Sequence, residues 1–290
     1  MDSATGTNPT GQPSRTALLA AAARAAHLIV DGEPTVFADP LAYRLLGDGA
    51  EELVSYHRLH GEHMVLAGAR AAVTTRSRYT EERLARAADA GITQYVILGA
   101  GLDSFAYRSD ADVRVFEVDH PATQEWKRAR LDEARIPVPD SVAYVPMDFE
   151  SELLLDRLPE AGFDVTRPAL VSWLGVLMYL SGEAIDRTLT ELSAFAPRTE
   201  IVADYMLRPE LCDEDGRMYG ELVGATSAQG GEPWLSRFSP EEVAGLLKGH
   251  GFEVIEQATQ RDSVDLTLWE RSDAFRALGL AMVAHARVTL

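Results

Sequence analysis

An apolar run, Tyr95-Val-Ile-Leu98, stops at Gly99-Ala-Gly101, and the chain continues Leu-Asp-Ser-Phe-Ala-Tyr-Arg108. This stretch constrains the fold more than any other. A strand that ends on paired glycines can turn tightly into the next helix, and the bare backbone of that turn lets a ligand approach closely.

The segments downstream repeat the same strand-then-helix rhythm. Short apolar runs lie at Val113–Val118, Val142–Val145, Ala169–Trp173 and Glu200–Ala203. Helical patterns separate them near His120–Ala134, Glu152–Leu158 and Gly182–Phe195. Alternation of this kind predicts a parallel sheet of βαβ units. Ser239-Pro-Glu-Glu242 is a capping box with proline at the first helical position, and Gly251 can end the helix it starts. Two further runs, Phe252–Glu256 and Val264–Trp269, are expected to form a closing antiparallel hairpin. The predicted fold is therefore α/β: a Rossmann-like, seven-stranded, mostly parallel sheet with an antiparallel terminal strand.

Upstream, residues 15–90 carry only helical patterns, one to Val30, one near Pro40–Leu46 and one from Leu53 through Arg86. They are expected to form an N-terminal helical cap on a core of residues 91–290. Residues 1–14, rich in Ser, Thr, Gly, Pro and Asn, are expected to be a disordered tail. Residues 206 to about 238 interrupt the core pattern and are expected to be an inserted lid over a substrate.

Composition narrows the partners. The 290 residues carry a formal net charge of −18, which disfavours a nucleic acid or an anionic membrane, since phosphates are held by clustered Lys and Arg. A small-molecule acceptor is expected. Cys212 is the only cysteine, which excludes an internal disulfide and a thiolate zinc cluster and fits a reducing cytoplasm. The apolar stretch Ala17–Ala23 is cut by Arg24 and His27, too short to span a bilayer. His57, His60 and His63 share a helical spacing but match no metal-binding pattern, so no metal site is expected.

The acidic residues after the strands indicate what the glycine loop holds. Glu117-Val-Asp119 ends the second strand, one strand-helix unit past the glycines, where a carboxylate can accept hydrogen bonds from ribose hydroxyls. Asp148 and Phe149 follow the third strand, where a carboxylate can take an adenine amino proton and a ring can cover the base. An adenosyl nucleoside satisfies all three positions, and both NAD and S-adenosylmethionine contain one. The third glycine expected for a pyrophosphate falls at Ser104, and Asp103 stands where a helix N-terminus should receive phosphates. A carboxylate there repels a pyrophosphate and tolerates a cationic sulfonium. S-adenosylmethionine is the expected cofactor. An NAD-dependent oxidoreductase and a cofactor-binding protein without turnover are the competing readings.

The strings Arg76-Ser-Arg78-Tyr79, Ile97-Leu-Gly-Ala-Gly-Leu-Asp-Ser-Phe-Ala-Tyr-Arg108, Phe116-Glu-Val-Asp-His-Pro121, Asp148-Phe149 and Trp173-Leu-Gly-Val-Leu-Met-Tyr-Leu180 resemble the leucine carboxyl methyltransferase family, within the class I methyltransferases. The resemblance runs from about Arg70 to Asp204 and more loosely to the C-terminus. It includes bacterial relatives that tailor natural products. It implies a cofactor site built from Gly99, Ala100, Gly101, Asp103, Glu117, Asp119, His120, Asp148 and Phe149. It also implies an arginine, Arg76 or Arg78, paired with the cofactor's carboxylate, a role that suits a guanidinium. Many members carry an acidic residue where this chain has Leu174. Tyr179 and Asp204-Tyr205 are further candidate pocket residues. The implied reaction is methylation of a carboxylate, which needs no general base, or of a hydroxyl, which benefits from one.

Overall fold

The computed structural model describes residues 14–289. The expected tail therefore lies outside the described residues, apart from Ser14. That residue caps the first helix, its Oγ accepting from Ala17 N at 3.1 Å.

Helices α1 (Arg15–Val30), α2 (Ala42–Leu45), α3 (Ala50–His60) and α4 (Met64–Asp89) precede any strand. The periodic stretch from Leu53 is thus two helices. Gly61 caps the first of them, where a Cβ would lie 2.4 Å from the His57 carbonyl and 2.6 Å from Val30 Cγ1. α1 buries an all-alanine face, Ala21, Ala22, Ala25 and Ala26, and such small side chains let helices approach closely. α4 runs through apolar surroundings with its hydroxyls satisfied locally: Thr74, Thr75 and Thr80 each donate to the carbonyl four residues back at 2.7–2.8 Å.

The core follows as β1 (Gln94–Leu98), α5 (Phe105–Arg108), β2 (Arg114–Asp119), α6 (Pro121–Glu133), β3 (Val142–Pro146), α7 (Leu154–Glu160), β4 (Leu170–Trp173), α8 (Gly182–Leu192), β5 (Glu200–Met206), α9 (Glu214–Gln229), α10 (Pro240–Gly249), β6 (Phe252–Thr259) and β7 (Ala281–Val288). The sheet order is β3-β2-β1-β4-β5-β7-β6. β1 to β5 are parallel, and β7 runs antiparallel to both neighbours. The central strands are buried along their length, as a parallel sheet covered on both faces requires. Phe116, Phe163 and Phe195 pack in a row, edge-to-face and then tilted, with centroid spacings of 5.3 and 4.9 Å.

One strand assignment needs correction. β6 pairs with Ala281–Val288, and the Val264–Trp269 run instead contains a 3-10 turn, Leu266–Trp269. Asp265 caps that turn by accepting from Thr267 N at 2.9 Å. Val264 and Leu268 bury themselves against Val36, Ala71 and Phe275, so the run serves the helical cap instead of the sheet.

Chain order reverses between β1 and β4, one leading outward to β2 and β3 and the other to β5. In open α/β sheets a crevice forms at the carboxyl ends of such strands. The cap closes over it. Buried Arg24 of α1 donates to Asp39 at 2.9 Å and to the Leu102 carbonyl at 2.6 Å, pinning the cap to the glycine loop.

Arg70, almost wholly buried, grips Asp31 through two hydrogen bonds of 2.7 and 2.8 Å and reaches the Gly61 carbonyl at 2.8 Å. It also stands 3.3 Å from Nδ1 of buried His57. Burial first, and the Arg70 charge second, push the His57 imidazole down from 6.5 to about 4, against the pull of Asp31. Between these two values the unfolded chain takes a proton that the folded chain refuses. Stability should therefore fall as pH drops from 6.5 toward 4 and level off below that. The loss from this one group is on the order of 3 kcal/mol. Urea titrations of wild type and His57→Gln across that range should differ in slope, with the variant flatter; parallel curves would contradict this account.

Candidate active site

The crevice is a cavity of about 460 Å³, within the usual size of small-molecule sites. The carboxyl ends of β1 to β5 supply part of its lining, and α1, α4, α9 and the Glu232–Trp234 segment supply much of the rest.

At the end of β1 the backbone turns through Gly99 and Gly101, with φ of +69° and +45°. Space enforces the residue type as well. A Cβ on Gly99 would lie 2.3 Å from Val176 Cγ2, and one on Gly101 would lie 3.0 Å from Ala17 Cβ. α1 thus sits directly on the loop. Asp119, at the end of β2, accepts from Gly101 N at 2.5 Å and His120 N at 2.7 Å, tying the loop to the neighbouring strand. Burial nonetheless raises the Asp119 carboxyl above its ordinary value, the two backbone donors opposing that shift. His120 caps α6 through Ala122 N at 3.3 Å. Asp103 lines the same cavity and accepts from Phe105 N, at the start of the short α5, at 2.8 Å.

Past β3, Asp148 and Phe149 border the cavity, Phe149 largely buried. The Asp148 carboxylate accepts from Glu150 N at 2.9 Å and Ser151 Oγ at 3.1 Å, which holds the loop in shape. At the ends of β4 and β5, Arg76 of α4 meets Asp204 at 2.8 Å. The other Asp204 oxygen accepts from Gly175 N at 2.5 Å. Gly175, at φ +70°, leaves room for the guanidinium, since its Cβ would lie 2.5 Å from an Arg76 nitrogen.

Three expected residues lie elsewhere, each for a geometric reason. Arg78 is two positions past Arg76 and so on another face of α4; it binds Glu82 at 2.8 Å and the Val36 carbonyl at 3.0 Å. Glu117 shares a face with Asp119 but lies one pleat deeper, buried, with Lys127 Nζ 2.7 Å away. Tyr205 follows Asp204 and so points to the opposite face, where its hydroxyl meets Gln257 at 2.5 Å. Of the remaining expected residues, Tyr179 and Asp204 line the cavity, and Leu174, where the family pattern is departed from, lines it as well. Burial raises the Tyr179 phenol, and raises that of Tyr219, another lining residue, to about 12.

Local sequence gave no sign of the wall formed by Thr16, Ala17 and Ala20, nor of Gln260, while Trp234 falls within the expected lid. His57 also lines the cavity, while His60 and His63 stay exposed. Among the described residues no cluster of His, Cys, Asp and Glu could hold a metal ion, and no helix is long and apolar enough to cross a membrane.

The strand order, with β7 inserted antiparallel between β5 and β6, and the position of the cavity define a class I methyltransferase fold. A solved structure from Thermobifida fusca, described as that of a methyltransferase, superposes with a TM-score of 0.63 over 97% of both chains at 19% identity. In sequence, the leucine carboxyl methyltransferase pattern matches residues 17–193. A Bacillus subtilis (strain 168) protein, YktD, is 34% identical over 215 residues, 73% of this chain and 70% of its own. A Mycobacterium avium (strain 104) protein is 32% identical over 291 residues, 95% of this chain and 84% of its own. Both carry the name of S-adenosyl-L-methionine-dependent methyltransferases. The chain belongs to the leucine carboxyl methyltransferase family, and its cofactor is S-adenosylmethionine.

Gly99→Ala combines positive φ with a steric overlap on a β-branched neighbour. It should lower stability by about 1–3 kcal/mol in chemical denaturation. A variant as stable as wild type would show that the Val176 contact gives way freely.

Proposed function

We propose that this protein transfers a methyl group from S-adenosylmethionine to an oxygen of a small molecule, either a carboxylate or a hydroxyl. The observation that carries the reading is the convergence of Gly99, Gly101, Asp119, Phe149 and Arg76, from four separate segments, on one cavity.

The residues present fit the cofactor. Gly99, Ala100 and Gly101 offer a loop with no side chain beyond a methyl. Asp119 retains lone pairs for ribose hydroxyls, Asp148 borders the adenine position, and Phe149 covers the ring. Asp204 orients Arg76 so that the remaining N–H groups of its guanidinium meet the cofactor's carboxylate. Asp103, Asp119, Asp148 and Asp204 make the lining acidic, which favours a sulfonium and opposes the pyrophosphate of NAD. His120 shapes the loop beside the ribose.

Bound S-adenosylmethionine supplies a methyl on a sulfonium, and in-line transfer to oxygen leaves the sulfur–carbon electron pair on a neutral thioether. The residues around it contribute position more than chemistry. With their pKa values raised, Tyr179 and Tyr219 stay protonated at neutral pH and orient the acceptor as donors. A carboxylate acceptor needs no base. A hydroxyl gives its proton to solvent, which reaches the cavity beside exposed Leu19. The Glu214–Gln229 helix and the Glu232–Trp234 segment act as the lid, supplying Tyr219, Val223 and Trp234 to the acceptor wall.

Calorimetry with S-adenosylhomocysteine tests the cofactor half. Asp119→Ala should weaken binding more than about tenfold, since it removes charged hydrogen bonds worth ~1.5–3 kcal/mol. Unchanged affinity would remove Asp119 from the site. Arg76→Gln should lose at least about tenfold and Arg78→Gln less than about twofold; the reverse ranking would exchange their roles. Mass-spectrometric detection of oxygen-methylated products from a panel of small acids and phenols tests the acceptor half. Products methylated only on nitrogen or carbon would contradict it.

A further inference from the structure

Beyond the cofactor contacts, the cavity continues over the ends of β5, β7 and β6, beneath α4 and α9. Met206, Leu278, Leu280, Met282 and Val283 form its floor, with Val65, Leu66, Ala69 and Val223 along the walls. The only guanidiniums lining the whole cavity, among the described residues, are Arg24 and Arg76, and no lysine does. Arg24 is paired with Asp39 at 2.9 Å and Arg76 with Asp204 at 2.8 Å. His57 is held neutral above a pH of about 4. A carboxylate entering this half would lose its hydration and find no uncommitted cation, a costly transfer.

What the acceptor half does offer is neutral N–H groups. Gln260, 8% exposed, has its Oε1 fixed by Leu278 N at 2.7 Å. That bond settles its amide orientation, and the buried Nε2 is left with no hydrogen-bond partner among the described residues. Trp234 lines the cavity too, but its Nε1–H faces the Tyr179 hydroxyl. Buried donors in native proteins almost always have a partner. An unpartnered one on this wall points to a ligand that supplies the accepting atom.

We propose that the methyl acceptor is an uncharged, largely apolar hydroxyl compound with a carbonyl-type oxygen remote from the methylated group, and that Gln260 Nε2–H recognises that oxygen. This rests on the methyl-transfer reading and chooses the hydroxyl over the carboxylate. Gln260, just past the end of β6, lies across the sheet from the glycine loop at β1. A molecule spanning that distance presents its hydroxyl toward Arg76 and Tyr179 and its carbonyl toward β6. Gln260 is then a specificity residue that touches the acceptor without taking part in bond making.

The test uses the full chain saturated with S-adenosylhomocysteine and three probes of similar size. These are 4-hydroxybenzophenone, 4-benzylphenol, which lacks the ketone, and 4-benzoylbenzoate, which replaces the hydroxyl with a carboxylate. Binding is measured by calorimetry near pH ~6, where phenols are largely un-ionised and carboxylates charged. The hydroxy ketone should bind at least about tenfold more tightly than the benzoate and about three- to tenfold more tightly than the benzylphenol, the range of one neutral hydrogen bond. Gln260→Glu keeps an oxygen for Leu278 N and removes the donor. It should abolish the ketone preference while leaving S-adenosylhomocysteine affinity within about twofold, the sign that the variant folds. A benzoate that binds as tightly as the hydroxy ketone overturns the proposal, as does a ketone preference that survives in folded Gln260→Glu or the absence of binding by all three probes. The wild-type comparison stands even if the variant fails to fold. Failure to bind S-adenosylhomocysteine would instead defeat the methyl-transfer reading itself.

Discussion

The Asp119 carboxylate, accepting from Gly101 N and His120 N, is the contact on which the rest of the site depends. It joins the loop after β1 to the end of β2 and so fixes the width of the crevice at the point where strand order reverses. Every other element of the cavity is placed relative to that joint. α1 rests on Gly101 through Ala17, Arg24 reaches the next turn of the loop at Leu102, and Val176 packs against Gly99 from the β4 side. A Cβ at either glycine would collide with one of two segments, α1 at Gly101 or the Val176 loop at Gly99.

Charge is distributed with the same economy. The cavity is lined by four aspartates, and its arginines are each held by a carboxylate, Arg24 by Asp39 and Arg76 by Asp204. Such pairing gives each side chain a fixed direction and leaves no loose cation in the apolar half. The Arg76–Asp204 pair marks the boundary between a polar chamber over β1, β2 and β4 and an apolar one over β5 and β7. In the family pattern an acidic residue often stands where this chain has Leu174, and here that side chain packs with Tyr79, Val202, Ala258 and Val283. The nearest carboxylate at that end of the sheet comes from β5 instead.

Much of this was legible in the sequence where the information is local. Strand-helix alternation gave β1 to β5 and their intervening helices, and Ser239-Pro-Glu-Glu242 formed the capping box expected of it. The misplacements are those of side-chain direction and long-range pairing. Glu117 and Asp119 are indistinguishable by type and differ only in depth along a strand; Asp204 and Tyr205 differ only in which face of the sheet they meet; Arg76 and Arg78 differ only in rotation about α4. The true partner of β6 lies beyond a stretch, residues 260–280, that packs on the helical cap, and no local pattern announces which of two apolar runs will pair. Gln260 and Trp234 lacked any motif, since their importance comes only from the cavity they share.

The central claim is that one cavity holds S-adenosylmethionine across the ends of β1 to β4 and leaves the space over β5 and β7 for the acceptor. A crystal structure with S-adenosylhomocysteine bound tests it most directly. The account predicts the ribose at Asp119, the adenine against Phe149, the carboxylate at Arg76 and the sulfur facing the chamber walled by Tyr179, Tyr219 and Trp234. A ligand lying over β5 and β7, or one that leaves Asp119 and Arg76 without contact, would contradict it.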